Sequence, residues 1–122
     1  HPIGDLEGFF SDRGTIEEDL NGISADQKTI MAIHCPPQGL SLDVCTNGRR
    51  VGSKAVTDWI ERQRPLIVLS GHIHESFRKT GMWRGLIGST LVIQPGQMED
   101  KTTLVMIDTG AGNDVKASIV EV

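Results

Sequence analysis

The chain has 122 residues, of which 38% are hydrophobic and 23% charged, and its net charge is −4. This length suits a single domain over 1–122 with its own small core, and the composition is that of a globular protein. No apolar run approaches the roughly 20 residues of a membrane-spanning helix, which argues against a membrane partner. No basic cluster goes beyond Arg49-Arg50, which makes nucleic acid a poor bulk electrostatic partner.

The first third of the chain predicts a short helix followed by a strand. Residues 1 to 14 hold glycines and acids without periodicity and are expected to be irregular. Thr15 and Glu18 have the spacing of a capping box, which predicts a helix that ends near Asn21-Gly22. The apolar run from about Lys28 to Ile33 predicts a first buried strand.

A polar loop, a second helix and a second strand follow. Ser53 is placed to cap a helix, and Pro65 marks the end of that helix. The apolar face of this helix consists of Val56, Trp59 and Ile60. The run from Leu66 to Leu69 is uninterrupted by polar residues, which is typical of a strand buried on both faces.

After His74 the pattern changes to short β-rich runs separated by turn residues. These runs are 86–87, 91–93, 104–107 and 115–122. They predict an antiparallel meander. The predicted fold is therefore α+β, with an α/β first half and an antiparallel β tail, and no linker divides the chain.

Three of the four histidines stand where a predicted buried strand ends. His34 follows the first strand, and His72 and His74 follow the second. Sheets of this type bind ligands beyond the carboxyl ends of their strands. Neutral imidazole is a good ligand for zinc, manganese, iron and nickel, and Gly71 allows close approach of the backbone. The pattern therefore predicts a metal site, although a lone His-x-His is also common in solvated loops.

The ordered pair His34-Cys35-Pro36-Pro37 and Gly71-His72-Ile73-His74 resembles the calcineurin-like metallophosphoesterases. The resemblance covers about residues 15 to 108 and includes Val51-Gly52-Ser53 with the helix after it. It implies an αββα sandwich, of which this chain is the C-terminal half, with a two-metal centre at the strand ends. On this mapping His34 and His72 bind one divalent metal ion and His74 binds the other. The ions implied are manganese, iron, zinc or nickel.

The chain lacks the motifs that the N-terminal half of the family carries. The Asp-x-His, Gly-Asp-x-x-Asp and Gly-Asn-His-Asp/Glu motifs of the family are not in this sequence, and they supply carboxylate and asparagine ligands. The resemblance therefore implies that the parent protein hydrolyses phosphate mono- or diesters, while this chain alone is inactive. The expected partners are the missing N-terminal half or a second copy along an exposed sheet edge. The alternative is a non-catalytic interaction scaffold with the same fold.

Two further groups carry weaker signals. Arg49 and Arg50 lie in the loop between the two strands, where they either bind the phosphate of a substrate or are simply solvated. Cys35 and Cys45 do not have the spacing of a metal-binding pair. We interpret them as reduced thiols of a cytoplasmic protein.

Overall fold

A four-stranded mixed sheet forms the centre of the structure. The structure is a computed structural model, and it describes residues 15–110 and 114–122. The helices are α1 (Ile16–Asn21), α2 (Lys54–Gln63) and α3 (Ser76–Thr80), and the strands are β1 (Ile30–Ala32), β2 (Ile67–Leu69), β3 (Arg84–Ile87), β4 (Thr90–Ile93), β5 (Thr103–Asp108) and β6 (Lys116–Glu121). The order in the central sheet is β1-β2-β4-β3, and β5 and β6 form a separate two-stranded sheet. This mixture confirms the predicted α+β class. The irregular segment expected over 1–14 lies outside the described residues.

Both predicted helix starts are confirmed by their caps. The Thr15 hydroxyl accepts a hydrogen bond from the Glu18 N–H at 3.2 Å, and the Glu18 carboxylate accepts one from the Thr15 N–H at 2.7 Å. The Ser53 hydroxyl accepts a hydrogen bond from the Val56 N–H at 3.3 Å. These bonds satisfy backbone donors that have no partner in the first helical turn. The second helix ends at Gln63, and Arg64 closes it with a left-handed φ of 52°.

The core lies between the two longer helices and one face of the sheet. Val56, Trp59 and Ile60 are buried as predicted, and they pack in one cluster with Val68 and Val92 of the sheet. The register pairs Met31 with Val68 and Val68 with Val92, so this cluster covers a single face of the sheet. The indole N–H of Trp59 donates to the Ile23 carbonyl at 3.0 Å, which satisfies the polar atom of a buried ring.

The prediction that the first strand is buried was wrong. Ile30 keeps 51% of its surface exposed, whereas Ile67 and Val68 of β2 are completely buried. The cause is position in the sheet, because β2 lies between β1 and β4 while β1 pairs with β2 alone among the described residues. An apolar run does not distinguish an edge strand from a central one.

The antiparallel meander predicted after His74 was correct only in part. The turn after His74 leads into α3, which was not predicted, and β3 and β4 then form an antiparallel hairpin. However, β4 enters the central sheet parallel to β2, with Val68 opposite Val92. Strand pairing depends on contacts between segments distant in sequence, which local periodicity does not reveal.

The last two strands form a hairpin with little attachment to the central sheet. Leu104 pairs with Val120, and the pairing continues from Thr103–Glu121 to Asp108–Lys116. The Arg84 guanidinium donates to the Ala117 carbonyl at 2.9 Å and links this hairpin to β3. No helix in the described part of the chain has both the length and the apolar character needed to cross a membrane.

Candidate functional site

His34 and His72 meet at the carboxyl end of the parallel strands. β1 and β2 are neighbours, with Ala32 opposite Leu69, and each histidine follows its strand by two or three residues. The Nε2 atom of His34 lies 3.0 Å from the Nδ1 atom of His72. The two ring centroids are 4.9 Å apart, and the rings are inclined at 72°. The structure therefore brings together two of the three predicted metal ligands.

The local backbone holds the second histidine in a tight turn. The Gly71 N–H donates to the His34 carbonyl at 3.1 Å, and the Ile73 N–H donates back to the Gly71 carbonyl at 2.8 Å. His72 stands at the centre of this γ-turn with a φ of 67°. A residue other than glycine is uncommon in this region, and such a γ-turn is a strained one. Backbone strain of this kind concentrates at functional sites.

The distance between the two ring nitrogens, which is that of a hydrogen bond, is also compatible with two ligands around one metal ion. Two nitrogens bound at about 2.0–2.1 Å to one ion, with a right or tetrahedral angle between them, lie about 2.8–3.4 Å apart. The observed 3.0 Å between His34 and His72 matches that spacing. Burial lowers the pKa of His72, and the charges of His34 and His74 lower it further. The neutral imidazole that results is the form that binds metals.

His74 lines a cleft of about 710 Å³ to which neither His34 nor His72 contributes. Its carbonyl accepts a hydrogen bond from the Gln97 N–H at 2.9 Å, but no bond of its ring to His34 or His72 is present. Among residues 15–110 and 114–122, no group of three or more histidine, cysteine, aspartate or glutamate side chains is arranged to hold a metal ion. The assignment of His74 to a second metal stays a prediction.

The predicted substrate-binding arginines lie in a loop built around a buried carboxylate. Asp43 is fully buried, and its Oδ2 accepts a hydrogen bond from the Gly52 N–H at 3.0 Å. The Arg50 guanidinium lies 3.7 Å from Asp43 Oδ1 and donates to the Ser41 hydroxyl at 3.2 Å. Arg50 therefore compensates this carboxylate, and neither Arg49 nor Arg50 lines the cleft beside His74. Their role in substrate binding stays a prediction.

Gln94 is a buried polar residue whose role the sequence did not reveal. Its amide nitrogen donates to the carbonyls of Leu42, at 2.7 Å, and Ile73, at 3.0 Å, and its oxygen accepts from the Gly96 N–H at 2.7 Å. The side chain of Gln94 thus links three loops near the histidines by hydrogen bonds. Gln94-Pro95-Gly96 follows an apolar run, a local pattern that indicates no more than a turn.

Three charged residues beside His74 were also missed. Glu75, Arg78 and Lys79 have helical spacing and line the same cleft. The Glu75 carboxylate accepts a hydrogen bond from the Thr46 N–H at 3.2 Å. Its pKa lies below the usual range, because its own backbone N–H, the Thr46 N–H and the charge of His74 favour the ionised form. Only the presence of α3 reveals this grouping, and five helical residues are too few to show a periodicity.

A comparison with known protein families found no match for this chain, and a comparison with curated proteins found none either. A comparison with solved structures found the crystal structure of TT1561 of Thermus thermophilus. That protein is 20% identical to this chain, with a TM-score of 0.48. The match covers 75% of this chain and 34% of that one, so this chain spans about a third of that protein's length. The function has to be inferred from the residues of the chain itself.

Proposed function

We propose that the chain carries part of the metal site of a metal-dependent phosphoesterase of the calcineurin-like type, which hydrolyses phosphate mono- or diesters. The observation that supports this most is the 3.0 Å approach of His34 Nε2 to His72 Nδ1 at the ends of two parallel strands. A strained turn holds the second ring there, and burial favours its neutral form.

In this proposal His34 and His72 hold one divalent ion, and His74 holds a second. Manganese, iron, zinc and nickel all accept imidazole ligands. Bound ions of this kind lower the pKa of water and polarise a phosphoryl oxygen. The part that the chain itself plays is to fix the two rings at ligand spacing and, by burial, to favour the neutral form of His72. The remaining ligands, carboxylates above all, come from outside the described residues.

The proposal includes a partner that completes the site. The sequence holds only the C-terminal pair of family motifs, so the N-terminal half supplies the missing ligands or a second copy covers the exposed sheet. We also propose a cytoplasmic location. Cys35 and Cys45 are both free thiols, and burial raises the pKa of Cys35, which suits a structural cysteine in a reducing compartment.

Metal binding by the isolated chain tests the proposal. We expect zinc or manganese, measured by competition with a chromophoric chelator, to bind with one ion per chain. His34→Ala and His72→Asn each weaken that binding at least about tenfold, because each removes an imidazole ligand. Asparagine is chosen at position 72 because it tolerates a left-handed backbone.

His74→Ala is the matched control for this first ion. Its ring forms no hydrogen bond with the other two and is assigned to the second ion, so the variant should bind the first ion as the unaltered chain does. Binding that is insensitive to both His34→Ala and His72→Asn would contradict the proposed site.

Catalysis requires a separate measurement. Turnover of p-nitrophenyl phosphate and bis-p-nitrophenyl phosphate is measured with added manganese, for residues 1–122 alone and for a version joined to its N-terminal half. We expect turnover only from the longer protein, because three imidazoles without carboxylates leave the metal charges poorly compensated. Strong metal-dependent turnover by the 122-residue chain, lost in His74→Ala, would show that the missing half is dispensable.

The second candidate function is a non-catalytic interaction scaffold. It is favoured by the exposed apolar residues of the sheet, since Ile30 and Leu86 keep 51% and 63% of their surface exposed. A chain that associates with a partner but binds no metal through His34 and His72 would support this alternative.

A further inference from the structure

The cleft beside His74 has two cationic residues on one wall. We name it the His74 cleft; it has a volume of about 710 Å³ and is lined by Thr46, His74, Glu75, Arg78, Lys79, Gln97, Met98 and Glu99. One wall comes from α3 and the two residues before it, and the other from the loop after β4. Arg78 and Lys79 follow Glu75 by three and four residues, which places all three on one side of the helix.

The positive charges of this cleft have no partner in the described part of the chain. Lys54 on α2 forms an ion pair with Asp58, and Lys101 forms one with Glu121, but neither Arg78 nor Lys79 does so. Both side chains are exposed. The nearby Glu75 carboxylate already accepts the Thr46 N–H and does not neutralise them through an ion pair.

We propose that the His74 cleft binds a second anionic group of the substrate, a phosphate or a carboxylate carried beyond the phosphoester that is hydrolysed. This role in the substrate rests on the proposed function, because His74 belongs both to the cleft and to the proposed metal site. Anion binding by Arg78 and Lys79 does not depend on a metal ion. The cleft thereby favours a substrate with two anionic groups over a simple neutral ester.

Replacement of Glu99 tests whether the cleft binds an anion or a cation. It lines the loop wall, is exposed and lies in the same cleft as the two cations. A carboxylate there repels an anion, so removing its charge should strengthen anion binding. A site for a metal cation would respond in the opposite direction, because Glu75 and Glu99 would then be its ligands.

The experiment titrates the metal-free chain, in the presence of a chelator and at constant ionic strength, with inorganic phosphate and separately with succinate. Amide shifts of Thr46 and Gln97 in NMR spectra report binding in the cleft. We expect Arg78→Gln and Lys79→Gln each to weaken binding about three- to tenfold. We expect Glu99→Gln to strengthen it about two- to fivefold. The anion that binds more tightly identifies the group as phosphate or carboxylate.

Arg62→Gln is the matched control, since Arg62 is an exposed cation on α2 that does not line the cleft. It should leave the affinity unchanged. The proposal is overturned if neither anion shifts the cleft amides, if Arg62→Gln weakens binding as much as Arg78→Gln does, or if Glu99→Gln weakens it. Zinc binding by His34 and His72 is measured separately, so the proposed function and the anion site can fail independently.

Discussion

His72 combines two unfavourable features in one residue. Its φ is 67°, a conformation that a branched or bulky side chain rarely adopts, and its pKa lies below the usual value. Burial is the largest cause of this shift, followed by the charges of His34 and His74, while Glu75 acts in the opposite direction. A protein keeps such a residue where the surrounding structure enforces it, and here the γ-turn between Gly71 and Ile73 does so.

The lowered pKa of His72 predicts that the chain loses stability in mild acid. In the unfolded chain, His72 takes up a proton near a pH of about 6.5, but in the folded chain it does so only at lower pH. The unfolded state therefore binds more protons in this window, and the free energy of unfolding falls as the pH drops from about 6.5 to the folded pKa. Urea unfolding between pH 7.5 and 5 measures this slope. His72→Asn should make the slope shallower, and an identical slope in the variant would contradict the assignment.

The buried hydrogen bonds of Gln94 predict a loss of stability when this residue is replaced. Gln94→Leu leaves the buried carbonyls of Leu42 and Ile73 and the N–H of Gly96 without this partner. We expect the free energy of unfolding to fall by about 2 to 4 kcal/mol, measured by urea denaturation. Gln97→Leu, at an exposed position in the same loop, is the control and should change it by less than about 0.5 kcal/mol. Equal effects of the two substitutions would refute the role of Gln94.

The elements that were predicted correctly are those that depend on residues close together in the sequence. Thr15 and Ser53 cap helices within three residues of themselves, and the spacing of Val56, Trp59 and Ile60 follows from one helix. The meeting of His34 and His72 was also predictable, because two apolar runs that each end near a histidine favour neighbouring strands. The edge position of β1, the parallel entry of β4 and the short α3 depend on pairings between distant segments. Gln94 follows β4, and the cations of the His74 cleft lie on α3. The roles of these residues were therefore missed for the same reason.

The loop after β4 approaches the histidine turn closely, and Gly96 makes this possible. Gly96 has a φ of 69°, and a Cβ atom there would lie 2.6 Å from the His74 carbonyl oxygen. The Gln97 N–H donates to the same carbonyl at 2.9 Å. Gly96 therefore sets the distance between the two walls of the His74 cleft.

Gly96→Ala should displace this loop and weaken anion binding in the cleft. Gly88→Ala is a matched control, because Gly88 also has a left-handed φ, of 57°, but has no atom within 4 Å of a Cβ. Both variants should lose about 1 kcal/mol from the backbone alone, measured by urea denaturation. Only Gly96→Ala should lose more, and only this variant should shift the amide signals of His74 and Gln97. Equal losses in both would show that the close approach is unimportant.

The whole molecule leaves one face of its central sheet incompletely covered. The register places Ile30, Ile67, Leu91 and Leu86 in one row across the sheet, on the face opposite the helix-covered cluster. Ile67 is buried in this row, but Ile30 and Leu86 at its two ends are 51% and 63% exposed. Parallel strands are normally covered on both faces. The outer edge of β1 also has no paired strand among the described residues.

This exposed row and edge predict that the chain associates with a partner that covers apolar surface. We expect residues 1–122 to form dimers or larger species, and light scattering coupled to size-exclusion chromatography should give a mass above 13.3 kDa that rises with concentration. Leu86→Lys and Ile30→Lys place charges at the ends of the row and should shift the chain toward the monomer. Met106→Lys is the control, because Met106 is 65% exposed on the separate β5–β6 hairpin. A clean monomer at high concentration that binds no hydrophobic dye would show that the chain covers its own core without a partner.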